Sequence, residues 1–443
     1  MGIQDGLLGW ASSLGWLRRP ETPSNRLSRH QKVSSPVRES QVPLPDIIHL
    51  EGSEPTTKSS LLELNRPQPF LGLMPTPGGS QELRDALYQH DLAKWATVSI
   101  ASIASIASIA SIASIASIAS IASIASIASM GGFLATHGAT GAFQAIADAF
   151  IHRGDSVVVC DPGCPMHTSI LGLSGAKIRH LGVQLDSEGA LEFSPTEMAR
   201  MANGAKILVL SQPNNPDGGL WSAKTLDELK WWAKRNELLV IIDESHADYI
   251  PLKLRAPSEW RSGWNGMALF VGSLSKSHPQ AGTKVGWIQG PENLMQAIAA
   301  VIHNHGSGIS WAAEKATLRL LSTQGVSGDF LNRMTDTRIF AENQLQGLGM
   351  RPAPSKAGMF LWMPTWNLSA SSKSLAKTWK SACQVSVAPG ENFGPFSMGH
   401  IRLNLAADQG RLFEGLNRLK AWSEGEMRLN NGTHQTRSVK KAA

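Results

Sequence analysis

Cysteine is scarce. The 443 residues contain three, Cys160, Cys164 and Cys383. Three cannot build a disulfide scaffold and their spacing matches no zinc-ligand pattern, which fits a reducing compartment. The expected location is therefore cytoplasmic and no metal site is expected. The N-terminus lacks a secretory signal pattern, and its Ser- and Arg-rich character leaves organellar targeting as the alternative. Charge of one sign is also scarce once its position is considered. Of the formal net charge of +6, residues 1–45 hold +3 and residues 424–443 hold +2, so the body is nearly neutral. The cations gather in the tails, which read as solvated and poorly ordered rather than as a grip on nucleic acid. Long apolar runs are lacking too, so no membrane partner is expected.

One segment resembles a membrane span in length alone. From Ser99 to Ala128 the triplet Ser-Ile-Ala repeats ten times. A hydrophobic period of 3 gives no lasting stripe on an α-helix and conflicts with the two-fold alternation of a strand. As a helix it would run roughly 45 Å, but a serine at every third position weakens a membrane reading. It reads best as an expanded tandem repeat or a gene-model error, set just before a Gly-rich turn.

What is present is a hydrophobic fraction of 42%, enough for the cores of two ordinary domains. SVVVC (156–160), KILVL (206–210), LLVII (238–242) and ALFVG (268–272) read as buried strands. Residues 141–150 and 222–235 between them read as helices, the second with Ser222 as N-cap and Leu226, Leu229 and Trp232 on one face. Such alternation predicts an α/β fold with a parallel sheet covered on both faces. From about Pro291 helical patterns precede GMFLWMP and HIRLNLA, which read as strands of a smaller α+β domain. The expected division is a tail over 1–45, a large domain over 46–290 whose first part packs on the small domain, the small domain over 291–423, and a disordered tail over 424–443.

Ligands of parallel sheets sit beyond the carboxyl ends of the strands, and the polar motifs fall there. SLSKSHPQAGTKVGW (273–287) sets Lys276 behind two hydroxyl residues and eight positions before Lys284. This suits a lysine bonded to an aldehyde cofactor whose phosphate is held by hydroxyls and cationic charge, or a surface lysine in a Ser-rich loop. SQPNNPDGG (211–219) presents an amide at a fixed turn, or is an ordinary turn. Asp243, at the end of an apolar run, can keep a heterocyclic nitrogen protonated, or can cap a strand. THGATGAF (136–143) is a Gly-rich turn into a helix, suited to a phosphate. Arg402 is a cation inside an apolar strand and seeks a carboxylate, from a substrate or from a structural ion pair.

In this order and spacing the motifs resemble the pyridoxal-phosphate-dependent aminotransferases of class I/II, with fold type I, over about Asp46–Trp422. The resemblance implies pyridoxal 5'-phosphate bound to Lys276 as an aldimine, with the same lysine then moving protons. It implies Asp243 on the pyridinium nitrogen, and Asn215 on the ring oxygen and near the substrate. Gly138, Ala139, Thr140, Ser273, Ser275 and Lys284 are assigned to the phosphate side, and Arg402 to the substrate α-carboxylate. It further implies amino acid and 2-oxo acid substrates and a homodimer. The chain departs from the pattern at four places. Lys284 stands for the usual arginine, His246 for a tyrosine that bonds the ring oxygen, Cys164 for the aromatic that stacks on the ring, and Met74 for a partner-subunit tyrosine. His167 either substitutes for that aromatic or is a loop histidine. The run Asp-Glu-x-His-Ala-Asp is similar to the carbon–sulfur lyase branch, so a β-eliminating lyase is the second reading and a non-catalytic homologue the third.

Overall fold

The computed structural model describes residues 47–52, 77–91, 132–255, 260–277, 281–305, 308–322, 328–347, 349–366, 368–369 and 371–439. Residues 1–45, Met74 and the repeat over 99–128 lie outside the described residues. The strands are β1 (Ile48–His49), β2 (Phe133–Thr136), β3 (Ser156–Asp161), β4 (Lys177–Leu185), β5 (Ala190–Phe193), β6 (Ala205–Ser211), β7 (Leu220–Trp221), β8 (Leu239–Asp243), β9 (Ala268–Ser273), β10 (Gly286–Gln289), β11 (Phe360–Pro364), β12 (Val385–Ser386), β13 (Ala388–Pro389) and β14 (His400–Asn404). The helices that matter for the site are α1 (81–91), α2 (Gly138–Phe150), α3 (Pro165–Leu173), α4 (Ala223–Arg235) and α5 (Gln409–Val439).

Nine strands form the main sheet in the order β2-β10-β9-β8-β6-β3-β4-β5-β7. Its centre, from β9 through β8, β6 and β3 to β4, is parallel. The flanking β10 runs antiparallel to both its neighbours. Alternation along the central strands divides the core in two. Val157, Val159, Ile207, Val209, Leu239 and Ile241 face one side, and Val158, Leu208, Leu210, Val240 and Ile242 the other. With both faces buried, these strands carry the continuous apolar runs seen in the sequence.

Helices cover both faces. On one side α2 buries Ala139, Ala142, Phe143, Ile146 and Phe150, a stripe at helical spacing. On the other, α4 starts as expected, with the Ser222 hydroxyl accepting from the Thr225 N–H at 3.1 Å. Its Leu226 and Leu229 are buried.

A second, smaller unit holds the antiparallel sheet β11-β14-β13. Its core joins Phe360, Leu361, Ile401 and Leu403 to Leu412, Leu416 and Leu419 of α5. Ile48 and Leu50 belong to the same core, and β1 pairs with β12. The first described segment thus packs on the smaller unit. Helix α5 continues to Val439, so helix occupies most of the stretch read from sequence as a disordered tail. Low periodicity there gave no helical signal, whereas Leu412–Leu419 anchors the helix start in the core.

Candidate active site

The carboxyl ends of β3, β6, β8 and β9 lie along one edge of the sheet; β6, β8 and β9 are each followed by one of the polar motifs, and β3 by the turn that leads to Cys164. Asp243, the last residue of β8, is 5% exposed. Its Oδ1 accepts from the Ser245 N–H at 2.9 Å, and its Oδ2 lies 2.8 Å from His167 Nε2. Burial would raise this carboxyl, but the hydrogen bonds and charge of His167, with those of Ser245, hold it below the ordinary carboxylate range.

His167 is not a loop histidine. It lies in the first turn of α3, is buried, and stacks on Phe143 of α2 at 4.5 Å between centroids. It supports Asp243 from behind. Its place three residues beyond Cys164 was visible in the sequence, but the partner is 76 positions away, and no local signal names it.

Lys276 follows β9 in a single helical turn (Leu274–Ser277) and is half-buried. The Tyr249 hydroxyl donates to the Lys276 carbonyl at 3.0 Å and fixes that turn. His246 is buried, packs edge-on against Phe360 at 5.5 Å, and has no hydrogen-bond partner at Nε2. Burial first, then the charge on Lys276, pushes its imidazole down to about 3, so it is neutral at ordinary pH. Cys164 is the N-cap of α3; burial and the Asp243 charge push its thiol up to about 11. It is a small neutral group there, without the face of an aromatic.

Arg402 lies in β14 and is 5% exposed. Its Nη1 donates to Asn215 Oδ1 at 3.0 Å and its Nη2 to the Glu51 carbonyl at 2.8 Å. The guanidinium lies 4.0 Å from the Phe360 ring centre and 4.8 Å from that of Phe393. Its Nε has no partner, and burial lowers its pKa to about 10. Among the described residues no carboxylate group bonds it. A buried cation held by carbonyls and ring faces has capacity left for an anion. Phe360, Phe393 and Tyr249 escaped the sequence reading because each looks like an ordinary apolar core residue.

The start of α2 lies beside these groups. Gly138 has φ +65°, a conformation that favours glycine, and the N-cap His137 makes no side-chain cap. Gly286 of β10 lets the sheet approach: a Cβ there would meet Gly138 C at 2.6 Å and Ala139 N at 2.9 Å. Ala139 is buried, while the exposed Thr140 sends its hydroxyl towards Met166 Sδ at 3.4 Å. Ser273 is buried and its Oγ accepts from the Ser275 N–H at 3.2 Å. Lys284 is exposed with φ +51°, and its carbonyl lies 3.8 Å from where a Cβ on Gly138 would stand. A helix N-terminus without a side-chain cap, beside the Lys284 backbone, suits a phosphate. The orphaned His246 Nε2 suits a polar ring substituent, and the held Asp243 a protonated ring nitrogen. The residues present therefore fit pyridoxal phosphate.

Comparison with known proteins agrees with this chemistry. The model of the family "Aminotransferase class I and II" matches residues 113–419. The chain belongs to the class I and II aminotransferases. It is thus a transferase that uses pyridoxal 5'-phosphate to move amino groups. LL-diaminopimelate aminotransferase 2 of Trichormus variabilis is 27% identical over 280 residues, covering 61% of this aminotransferase and 70% of the relative. Glutamate-pyruvate aminotransferase AlaC of Escherichia coli is 26% identical over 294 residues, covering 65% and 71%. The fold is shared with apo-BacF from Bacillus subtilis (TM-score 0.70, 18% identity, 86% and 91% covered). It is also shared with aspartate aminotransferase from Thermotoga maritima (TM-score 0.66, 19% identity, 85% and 92% covered). Among the described residues no helix is long and apolar enough to cross a membrane.

Proposed function

We propose that this aminotransferase works at the cluster of Lys276, Asp243, Asn215, His246 and Arg402, on α-amino acids and 2-oxo acids. The observation that carries this reading is Arg402: a buried guanidinium beside Asn215, bonded by carbonyl oxygens and no carboxylate group among the described residues. Bound pyridoxal phosphate supplies an aldehyde carbon for an amine and a ring that takes up the electron pair left when a proton leaves the substrate α-carbon. Lys276 Nζ accepts that proton and returns it. Asp243 stays ionised through His167 and Ser245 and holds a proton on the ring nitrogen. Asn215, its carbonyl engaged by Arg402, offers its amide N–H to the ring oxygen. His246 Nε2 would meet the same oxygen as a neutral group. Gly138, Ala139 and Thr140 at the start of α2, with Ser273, Ser275 and Lys284, would receive the phosphate, and Cys164 would lie against the ring. Arg402 takes the α-carboxylate, and the buried surroundings exclude water from it.

The division into a large domain over 46–290 and a small one over 291–423 belongs to this reading, as does a homodimer, on the family resemblance. No observation favours the lyase alternative. An amino acid panel with pyruvate as acceptor, scored for 2-oxo acid and for ammonia, tests the function. Oxo acid formation that requires the acceptor is expected, with KM for the amino acid raised about 10- to 100-fold in Arg402→Ala, the loss of a charged hydrogen bond. Ammonia and oxo acid released without an acceptor would replace the transaminase by the lyase.

A further inference from the structure

The turn between β3 and α3 touches both sides of the site. Asp161, the last residue of β3, is fully buried. Its Oδ2 accepts from the Phe396 N–H at 3.0 Å and its Oδ1 from the Ser397 hydroxyl at 2.7 Å, while His180 Nδ1 lies 3.4 Å from Oδ2. Two residues on, the Gly163 N–H donates to the Phe393 carbonyl at 3.0 Å. The 393–397 loop that makes these bonds leads into β14, and its Phe393 ring underlies the Arg402 guanidinium. The same turn continues through Cys164 into α3, which carries His167 to Asp243.

Packing sets only the start of the loop, where Phe393 is buried edge-on to Trp362 at 5.4 Å. A cavity of about 430 Å³ opens beside it, lined by Asp161, Glu197, Trp362, Phe396 and His400. Phe396 is 56% exposed. The fit to Asp161 is close instead: Gly394, at φ +135°, would place a Cβ 2.3 Å from the carboxylate. A buried carboxylate that accepts from a backbone N–H and a hydroxyl is a strong, directional tie.

We infer that Asp161 is a positioning residue for carboxylate recognition: by clasping the 393–397 loop it fixes Phe393, and through it Arg402, relative to the Asp243 side of the site. This rests on the reading of Arg402 as the carboxylate-binding group. Fixing a binding group within a fraction of an ångström governs how much of its binding energy is realised.

The test uses the full chain loaded with pyridoxal phosphate and follows the cofactor absorbance on titration with L-alanine and with ethylamine, which lacks the carboxylate. Asp161→Ala, Gly394→Ala and Ser397→Ala are compared with the parent, with Arg402→Ala as reference. The inference expects L-alanine to bind about tenfold more weakly in Asp161→Ala and Gly394→Ala, and less so in Ser397→Ala. Ethylamine binding and cofactor affinity should stay within about twofold, well inside a tenfold effect. Asp161→Asn, which keeps one acceptor, should recover part of the loss. Equal weakening of L-alanine and ethylamine, or no change in either, would overturn the role of Asp161. If Asp161→Ala does not fold, Gly394→Ala and Ser397→Ala test the same clasp from the loop side. An Arg402→Ala protein that binds L-alanine as the parent does would remove the reading of Arg402 itself, and unchanged loop variants beside a weakened Arg402→Ala would remove this inference alone.

Discussion

Asp243 and His246 are three residues apart, both buried, and burial opposes the charge on both; His167 and Ser245 keep Asp243 charged, whereas Lys276 adds to burial and keeps His246 neutral. Burial opposes the charge on Asp243, but His167 reverses the balance. Without His167 the carboxyl pKa rises, so on acidification the charge needed for turnover is lost at a higher pH. In His167→Ala the acidic limb of the pH–rate profile should move to higher pH, and activity at neutral pH should fall about tenfold, as for a lost charged hydrogen bond. A profile that falls in height but keeps its acidic limb would contradict this. His246 has no such support and is held neutral down to about pH 3. An unfolded histidine takes up its proton near pH 6.5. The unfolded state therefore binds more protons between these values, and stability falls as pH drops from about 6.5 towards 3, at up to about 1.4 kcal/mol per pH unit. Urea denaturation of the cofactor-free protein between about pH 6 and pH 4 should give a shallower decline for His246→Gln. Parallel declines would show that this imidazole titrates normally in the folded state.

The elements place these groups, and close approach is their main device. The start of α2 reaches β10 because Gly286 has no Cβ. Gly286→Ala should lift α2 off the sheet, weaken pyridoxal phosphate binding by about tenfold or more, and lower stability by about 1–3 kcal/mol through overpacking. Fluorescence or absorbance titration reads the first effect and thermal melting the second. Unchanged cofactor affinity would mean that the helix start does not hold the phosphate. Much of this framework was legible in the sequence. Four apolar runs marked β3, β6, β8 and β9 but not β4, whose KIRHLGVQL is polar in part, because burial on both faces leaves the interiors of the four without polar residues, and Ser222 marked its helix because a cap is local. Lys276, Asp243, Asn215 and Arg402 stood out as polar groups at the ends of apolar runs or within them. The His167–Asp243 pair, the ring faces around Arg402 and the Asp161 clasp did not. Each is made between elements far apart in sequence, and a phenylalanine beneath a guanidinium looks like any core phenylalanine.

Across the molecule, one buried charge network ties the first described helix to the sheet. Arg261 bonds Asp91 of α1 at 2.8 Å, Glu244 next to Asp243, and Gln289 of β10 at 3.1 Å. Trp260 also donates to Glu244, at 2.8 Å. Arg261→Ala would leave two buried carboxylates facing each other, and should cost about 3–5 kcal/mol in chemical denaturation; a loss below about 1 kcal/mol, the worth of a surface pair, would show that the network adds little. Helix α1 also packs directly on β2, with Leu83 and Leu87 against Ala135 and Tyr88 edge-on to Phe133 at 5.8 Å. These contacts of α1, among the described residues, involve none of the Ser-Ile-Ala repeat. Replacing residues 99–128 by a short Gly/Ser link should leave soluble yield unchanged, and collapse of expression would make the repeat structural. The central claim is that Lys276 bonds pyridoxal phosphate in a working site. The absorbance spectrum of the purified protein with added pyridoxal phosphate, repeated for Lys276→Ala and then with amino acids, tests it most directly. A band of the lysine-bound cofactor in the parent protein, absent from Lys276→Ala and shifting when an amino acid is added, is the expected result. No such band at saturating cofactor, or the same band in Lys276→Ala, would contradict it.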